Sequence, residues 1–141
     1  MVNAKVVSRF QGAPTRENGG LIQEGPLYPV DEVCQLLDSK GENGVVLWTR
    51  DCLRDAQNDG LDCALVADLL RTAVKHGRYK NSQWCEQKPD GPWAACDAYT
   101  VICREWIENA GKEMDFEYYL KFAINKHGKC LLVVSCHTSR D

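Results

Sequence analysis

Tyr79, Lys80, Tyr119, Lys121 and His137 carry side chains that together could act on a phosphodiester. Metal-free cleavage of RNA by its own 2′-hydroxyl needs a general base near the 2′-oxygen and a general acid near the leaving 5′-oxygen. It also needs fixed positive charge beside the phosphorane-like transition state. Histidine titrates nearest neutral pH and suits the proton transfers. Lysine and arginine stabilise the developing charge, and tyrosine stacks on a splayed base or hydrogen-bonds phosphate. The same residue types stand on the solvent face of many sheets without any chemistry to do. No GxGxxG, P-loop, GxSxG or HExxH pattern offers a competing reaction. "GENG" and "QNDGLD" are turn signals.

The charge around these residues is uneven. The chain carries a formal net charge of −3, which argues weakly against nucleic acid as a partner. Residues 1–70 hold six Lys and Arg against eleven Asp and Glu, whereas residues 71–141 hold eleven against nine. Residues 71–88 carry five basic residues, Arg78 and Lys80 among them, and one acid; residues 121–140 carry four and none. All three histidines, His76, His127 and His137, fall in these two stretches. A fold that joins them makes a basic, histidine-bearing patch. The plainer alternative is that these cations solvate strand edges and a helix end, and His76 suits a helix C-terminus, where the macrodipole favours a cation.

The elements that must position these residues can be read from period and punctuation. Residues 1–28 contain Gly12, Pro14, Gly19, Gly20, Gly25 and Pro26 without a sustained period, and read as an irregular or mobile extension. "YPVDEVCQLLDSKGENG" predicts a helix with apolar Val30, Val33, Leu36 and Leu37, stopped near Gly41 or Gly44. "VVLW" predicts a short strand. Thr49 caps the next helix, which ends at Gly60, and Asp62 caps a third with an apolar stripe of Leu65, Val66, Leu69, Leu70, Ala73 and Val74. "CDAYTVICREW" is read as a strand, although its apolar residues also fit a helix, with a hairpin turn at "NAGK". "YLKFAI" and "CLLVVSC" then form a hairpin about "NKHGK", with Gly128 in the left-handed position. The register expected from that turn sets Tyr119 opposite Ser135 and Lys121 opposite Val133, with His137 on the same face. A slip of one residue would move His137 to the other face. The expected fold class is α+β, with N-terminal helices packed on a C-terminal antiparallel sheet in a single domain over residues 29–141.

The chain has 141 residues, enough for one core. No apolar run approaches the roughly 18 residues of a membrane helix, and "MVNAKVVSRFQGAPTREN" lacks the apolar core of a signal peptide. The expectation is therefore a cytoplasmic protein without a membrane partner. The eight cysteines show no CxxC spacing, and several lie on apolar phases, such as Cys34 and Cys63. They are expected as buried, reduced thiols, with metal ligation and disulfides as the alternatives.

Several stretches, in order, resemble the MqsR family of toxin–antitoxin ribonucleases. "TRDCLRDAQNDGLD" (49–62) is similar to the family's Thr-Arg start, spaced Leu and Ala, and Gly-Leu-Asp close. "YKNS" (79–82) resembles its Tyr-Lys-Ser, "W…CDAY" (93–99) its Trp-Gln-Asp-Val-Tyr, "YYLKF" (118–122) its Tyr-Leu-Lys, and "LLVVS" (131–135) its apolar final strand. The resemblance covers roughly residues 49–137. It implies a RelE-like fold and the toxin of a type II toxin–antitoxin pair, an mRNA interferase restrained by a cognate antitoxin protein, with RNA as substrate and neither metal nor cofactor. It places active-site residues on Lys80 and Tyr119.

The chain departs from that pattern in two places. Two extra residues and Cys96 stand where the family has a functional Gln after Trp, and His137 stands where its last strand ends in Lys. The chain is also acidic overall, and its hairpin between Tyr99 and Tyr119 is longer. The expected roles are phosphate or RNA contact for Tyr79, Lys121 and Arg78, catalysis for Lys80, Tyr119 and His137, and an open role for Cys96 and Tyr99. A homodimer is an open alternative. A non-catalytic protein- or RNA-binding regulator on the same fold is the competing reading.

Overall fold

Helices form where the local signals place them. In the computed structural model, which describes residues 5–139, α1 spans Val30–Lys40, α2 Arg50–Asn58 and α3 Cys63–His76. The Thr49 hydroxyl accepts from Cys52 N at 3.0 Å and donates to the Val134 carbonyl at 2.8 Å, so it starts α2 and ties it to the last strand. The Asp62 carboxylate accepts from Leu65 N at 2.9 Å and caps α3. The apolar stripe buries Val66, Leu69, Leu70, Ala73 and Val74, but Leu65 is 46% exposed, because in the first turn of α3 it faces away from the sheet.

The strands are β1 (Leu21–Ile22), β2 (Val45–Leu47), β3 (Arg78–Glu86), β4 (Trp93–Ile107), β5 (Lys112–Ile124) and β6 (Leu131–Thr138). They form one sheet in the order β1-β3-β4-β5-β6-β2. The sheet is mixed, not wholly antiparallel as expected, because β2 pairs in parallel with β6. Between β2 and β6 the chain runs through α2, α3, β3, β4 and β5, far more than the dozen or so residues a parallel pair needs for its connection. The helices cover one face, where Tyr99, Leu120, Phe122, Leu131, Val133 and Cys136 are buried against Leu37, Cys52, Val66 and Leu70. No helix among the described residues is long and apolar enough to cross a membrane.

Residues 5–28 carry a 3-10 turn at Glu17–Gly20 and the short edge strand β1, and are packed down along their length rather than mobile. Lys5 and Val7 bond to Trp93 on β4, and Val7 and Arg9 to Lys126 and to Ile124, the last residue of β5, so this segment wedges between the two strands where they part. Ser8, fully buried, accepts from Ala95 N at 2.9 Å and donates to Phe10 O at 2.8 Å. Further along, the buried Asp97 carboxylate accepts from Leu27 N and Tyr28 N, each at 3.0 Å, and from Ser82 Oγ at 2.6 Å. Burial pushes the Asp97 carboxyl above its ordinary value of 3.8, while the donors from Ser82, Leu27 and Tyr28 pull it back.

Candidate functional site

The sheet face away from the helices carries the candidate residues in rows. Residues paired across neighbouring strands share a face. Arg78 pairs with Thr100, Thr100 with Tyr119, and Tyr119 with His137, so these four form one row across β3, β4, β5 and β6. Asn81, Ala98, Lys121 and Ser135 form the next row by the same pairings. The predicted face is therefore right and the predicted register is not. Tyr119 stands opposite His137 and Lys121 opposite Ser135. The register shifts between Lys121 and Phe122, leaving Val134 as the extra residue on β6. The offset at the site from the predicted pairing is two residues, an even number, which preserves the face. Gly128, at φ 70°, takes the left-handed position expected of it.

This row brings together what the chemistry requires. The rings of Tyr119 and His137 stack with centroids 5.5 Å apart and 26° between planes. The Lys121 ammonium lies 5.7 Å from the Tyr119 ring centroid and donates to Gln83 Oε1 at 2.7 Å, spanning β4 above Ala98 and Cys96. His137 Nδ1 is 2.8 Å from the Thr138 carbonyl oxygen. A carbonyl only accepts, so in the neutral ring the proton is assigned to Nδ1, and Nε2 keeps its lone pair. Tyr119, Lys121 and His137 are half-buried, reachable from solvent but held in place. Small side chains at Ala98 and Thr100 leave the middle of the face low between Arg78 and the Tyr119–His137 stack. Glu117, exposed and next on the same face of β5, bounds the cationic patch on one side.

Other predicted residues lie elsewhere. Tyr79 and Tyr99 pair with each other on the opposite, helix-covered face. Their rings meet edge-on at 5.7 Å, and Tyr99 stacks on Phe122 at 6.0 Å. Tyr79 Oη is 2.7 Å from Ser82 Oγ. Burial, with Asp97 and Tyr79 nearby, pushes the Tyr99 hydroxyl up to about 12. Tyr79 and Tyr99 therefore belong to the packing around Asp97 and not to the open face. Lys80 sits at a bulge between the pairs Tyr79–Tyr99 and Asn81–Ala98, exposed and outside the ladder. Arg78 is exposed at the end of the His137 row. Cys96 is on the open face but wholly buried beneath it. His127 is in the β5–β6 turn and His76 ends α3, so neither is in the row.

Sequence reading missed Gln83, Ser135, Thr100 and a neighbouring cavity of about 650 Å³ that reaches Ser135 and holds Trp48, Arg50 and Lys88. Gln87 Nε2 donates to Trp48 O at 2.9 Å and fixes the β3–β4 turn against the segment after β2. Gln83 lies on β3, whose polar sequence and bulge at Lys80 give no strand signal to count from. The cavity joins segments some forty residues apart, and no local pattern marks it. Among the described residues, no group of three or more His, Cys, Asp or Glu could hold a metal ion. No protein-family model, curated protein or solved structure matches this chain.

Proposed function

We propose that the open sheet face binds RNA and cleaves it by attack of its own 2′-hydroxyl, and that the chain is the toxin of an MqsR-like, RelE-like toxin–antitoxin pair. The observation that carries this reading is the stacked Tyr119–His137 pair with Lys121 over the tyrosine ring. His137 Nε2, free to accept, takes the 2′-hydroxyl proton; in its protonated form the same ring delivers a proton to the departing 5′-oxygen. The 2′-oxygen bonds to phosphorus as the P–O5′ bond breaks, leaving a 2′,3′-cyclic phosphate and a 5′-hydroxyl. Lys121 and Lys80 hold the phosphate oxygens, and Arg78 contacts the strand at the end of the row. Tyr119 positions the phosphate through its hydroxyl. A base stacked on Trp48 would continue the strand into the neighbouring cavity.

The test is incubation of purified protein with a mixed-sequence RNA in EDTA, beside Lys80→Ala, Lys121→Ala and His137→Ala. Discrete fragments ending in cyclic phosphate, lost in His137→Ala, are expected. Intact RNA after incubation with folded wild type, across several sequences, overturns the reading. A cognate antitoxin is expected to restore growth arrested by expression of the chain.

A second reading, a non-catalytic RNA- or protein-binding regulator, is favoured by one observation. The Tyr119–His137 row holds a single imidazole, where the reaction uses both an acid and a base. RNA binding without cleavage, unaffected by His137→Ala, is its signature.

A further inference from the structure

Two of the eight cysteines meet on the site face, in a setting the other six lack. Cys96 stands opposite Gln83 and Cys85 opposite Ala94, so the two are diagonal neighbours on the adjacent strands β4 and β3, on one face. The two thiols interact with each other and with the Lys121 charge, while Cys85 Sγ donates to Gln83 O at 3.8 Å and Cys96 Sγ to Ala94 O at 3.6 Å. Cys85 is half-buried and Cys96 fully buried. That is the division of labour a dithiol needs: one sulfur that a small solute reaches, and a second that only the first can reach.

The neighbouring Cys96 thiol and the Lys121 charge lower the Cys85 pKa against the opposing effect of burial, while burial and the Cys85 partner raise that of Cys96. Thiolate thus collects on the accessible sulfur. Cys52 and Cys136 also lie near one another, across α2 and β6, but both are wholly buried beside Asp55, and burial pushes each up to about 12. That pair is inert by the same reasoning.

We propose that Cys85 and Cys96 form a redox-active dithiol that low-molecular-weight disulfides convert to one intramolecular disulfide on the site face beside Lys121. The Cys85 thiolate attacks one sulfur of RS–SR, forming Cys85–S–SR and releasing RS⁻. Cys96 then loses its proton to solvent, and its thiolate attacks Cys85 Sγ and expels the second RS⁻. Two electrons pass from the dithiol to the small disulfide, which becomes two thiols. Closing the pair to the S–S bond length of about 2.05 Å requires side-chain rotation and a small approach of the two strands, because diagonal neighbours stand about 7–8 Å apart and a disulfide spans about 4.4–6.8 Å between Cα atoms. This inference does not depend on the reaction proposed for RNA.

The test is to equilibrate the fully reduced protein in glutathione buffers of rising disulfide content, quench with acid, alkylate and map the peptides by mass. Expected is one intramolecular disulfide, Cys85–Cys96, with the other six thiols still open to alkylation once the chain is denatured. Cys96→Ser is expected to stall with one glutathione held on Cys85. Cys85→Ser is expected to abolish both the disulfide and the glutathione adduct. Eight free thiols in the most oxidising buffer, a disulfide joining any other pair, or a wild-type adduct that persists at Cys85 overturns the proposal. Should either single variant fail to fold, Cys63→Ser, Cys103→Ser and Cys130→Ser combined remove the other half-buried thiols, and the Cys85–Cys96 link must still form.

Discussion

Replacing Asp97 by alanine should free residues 5–28 from the sheet at a cost that can be worked from the bonds it breaks. The carboxylate is fully buried and accepts from Leu27 N, Tyr28 N and Ser82 Oγ. Ser82 keeps a partner in Tyr79 Oη when the carboxylate is gone. The two backbone N–H groups lose theirs. An unsatisfied buried donor costs about 1–3 kcal/mol, so two cost about 2–6 kcal/mol, a large share of the roughly 5–15 kcal/mol that holds an ordinary domain together. Asp97→Asn keeps the shape and one accepting oxygen but turns an NH2 group toward backbone donors, and should cost about half as much by the same reckoning.

The pH dependence separates the two charge states. The folded carboxyl titrates above its unfolded value of 3.8, because burial outweighs the donors from Ser82, Leu27 and Tyr28. Folding therefore takes up a proton between the two values. The stability this contributes is fully present below the unfolded pKa and is lost as pH rises through the folded one. Asp97→Asn should lack that slope. Urea unfolding followed by tryptophan fluorescence, with hydrogen exchange at Leu27 and Tyr28, measures both effects. An alanine variant within about 1 kcal/mol of wild type, below the cost of even one stranded donor, would refute the reasoning. So would an alanine variant whose Leu27 and Tyr28 amides stay as protected as before.

Three more outcomes are expected. Gly25→Ala should destabilise by about 1–3 kcal/mol, as overpacking does, because a Cβ there would lie 1.9 Å from Tyr79 Oη and 2.0 Å from Ser82 Oγ; thermal melting checks it. Alkylation of Cys85 should show an inflection below the ordinary thiol value of 9.0, and Lys121→Gln should move it up, since the ammonium favours the thiolate. Tyr119→Phe should keep the stack on His137 but lose the hydroxyl, so RNA affinity should hold while cleavage falls by about 10²–10³-fold, the range of a lost charge-stabilising donor; filter binding and a cleavage time course separate the two.

What could be read in advance was local. Thr49 and Asp62 cap helices because a side-chain oxygen meets an amide three residues on, a bond contained in four residues of sequence. The face carrying Tyr119, Lys121 and His137 was legible because alternation survives an even shift of register. The register itself was not, since Val134 bulges where no glycine or proline marks it. β3 was invisible as a strand: "RYKNSQWCE" has few apolar residues, and the bulge at Lys80 breaks its alternation. Tyr79 and Lys80 could not both have served one face, because neighbours in a strand point opposite ways. Ser8 bonds to Ala95, and Asp97 to Leu27 and Tyr28, over separations of about seventy to ninety residues, beyond any window. A glycine-rich stretch held in this way looks irregular in sequence although it is packed.

The acid-free stretch near the C-terminus and the negative net charge are two sides of one arrangement. Most acids of the first half, such as Asp31, Asp38 and Asp68, lie on the helices that cover one face, whereas Asp51, at the start of α2, lines the cavity beside Ser135. Arg78, Lys121 and His137 lie on the other. A sheet with its side chains is about 10 Å thick, comparable with the Debye length of about 8 Å at physiological salt, so acids exposed beyond the helices are screened from a phosphate on the open face. On the projecting β4–β5 ribbon, where acids do share that face, Arg104 pairs with Glu113 at 2.6 Å and with Asp115 at 3.7 Å. Glu117 is the acid left beside the row, two residues from Tyr119. Glu117→Gln should therefore tighten RNA binding more than an acid-to-amide change at Asp31, Asp38 or Asp68 on the helices, a contrast that net charge alone would not predict.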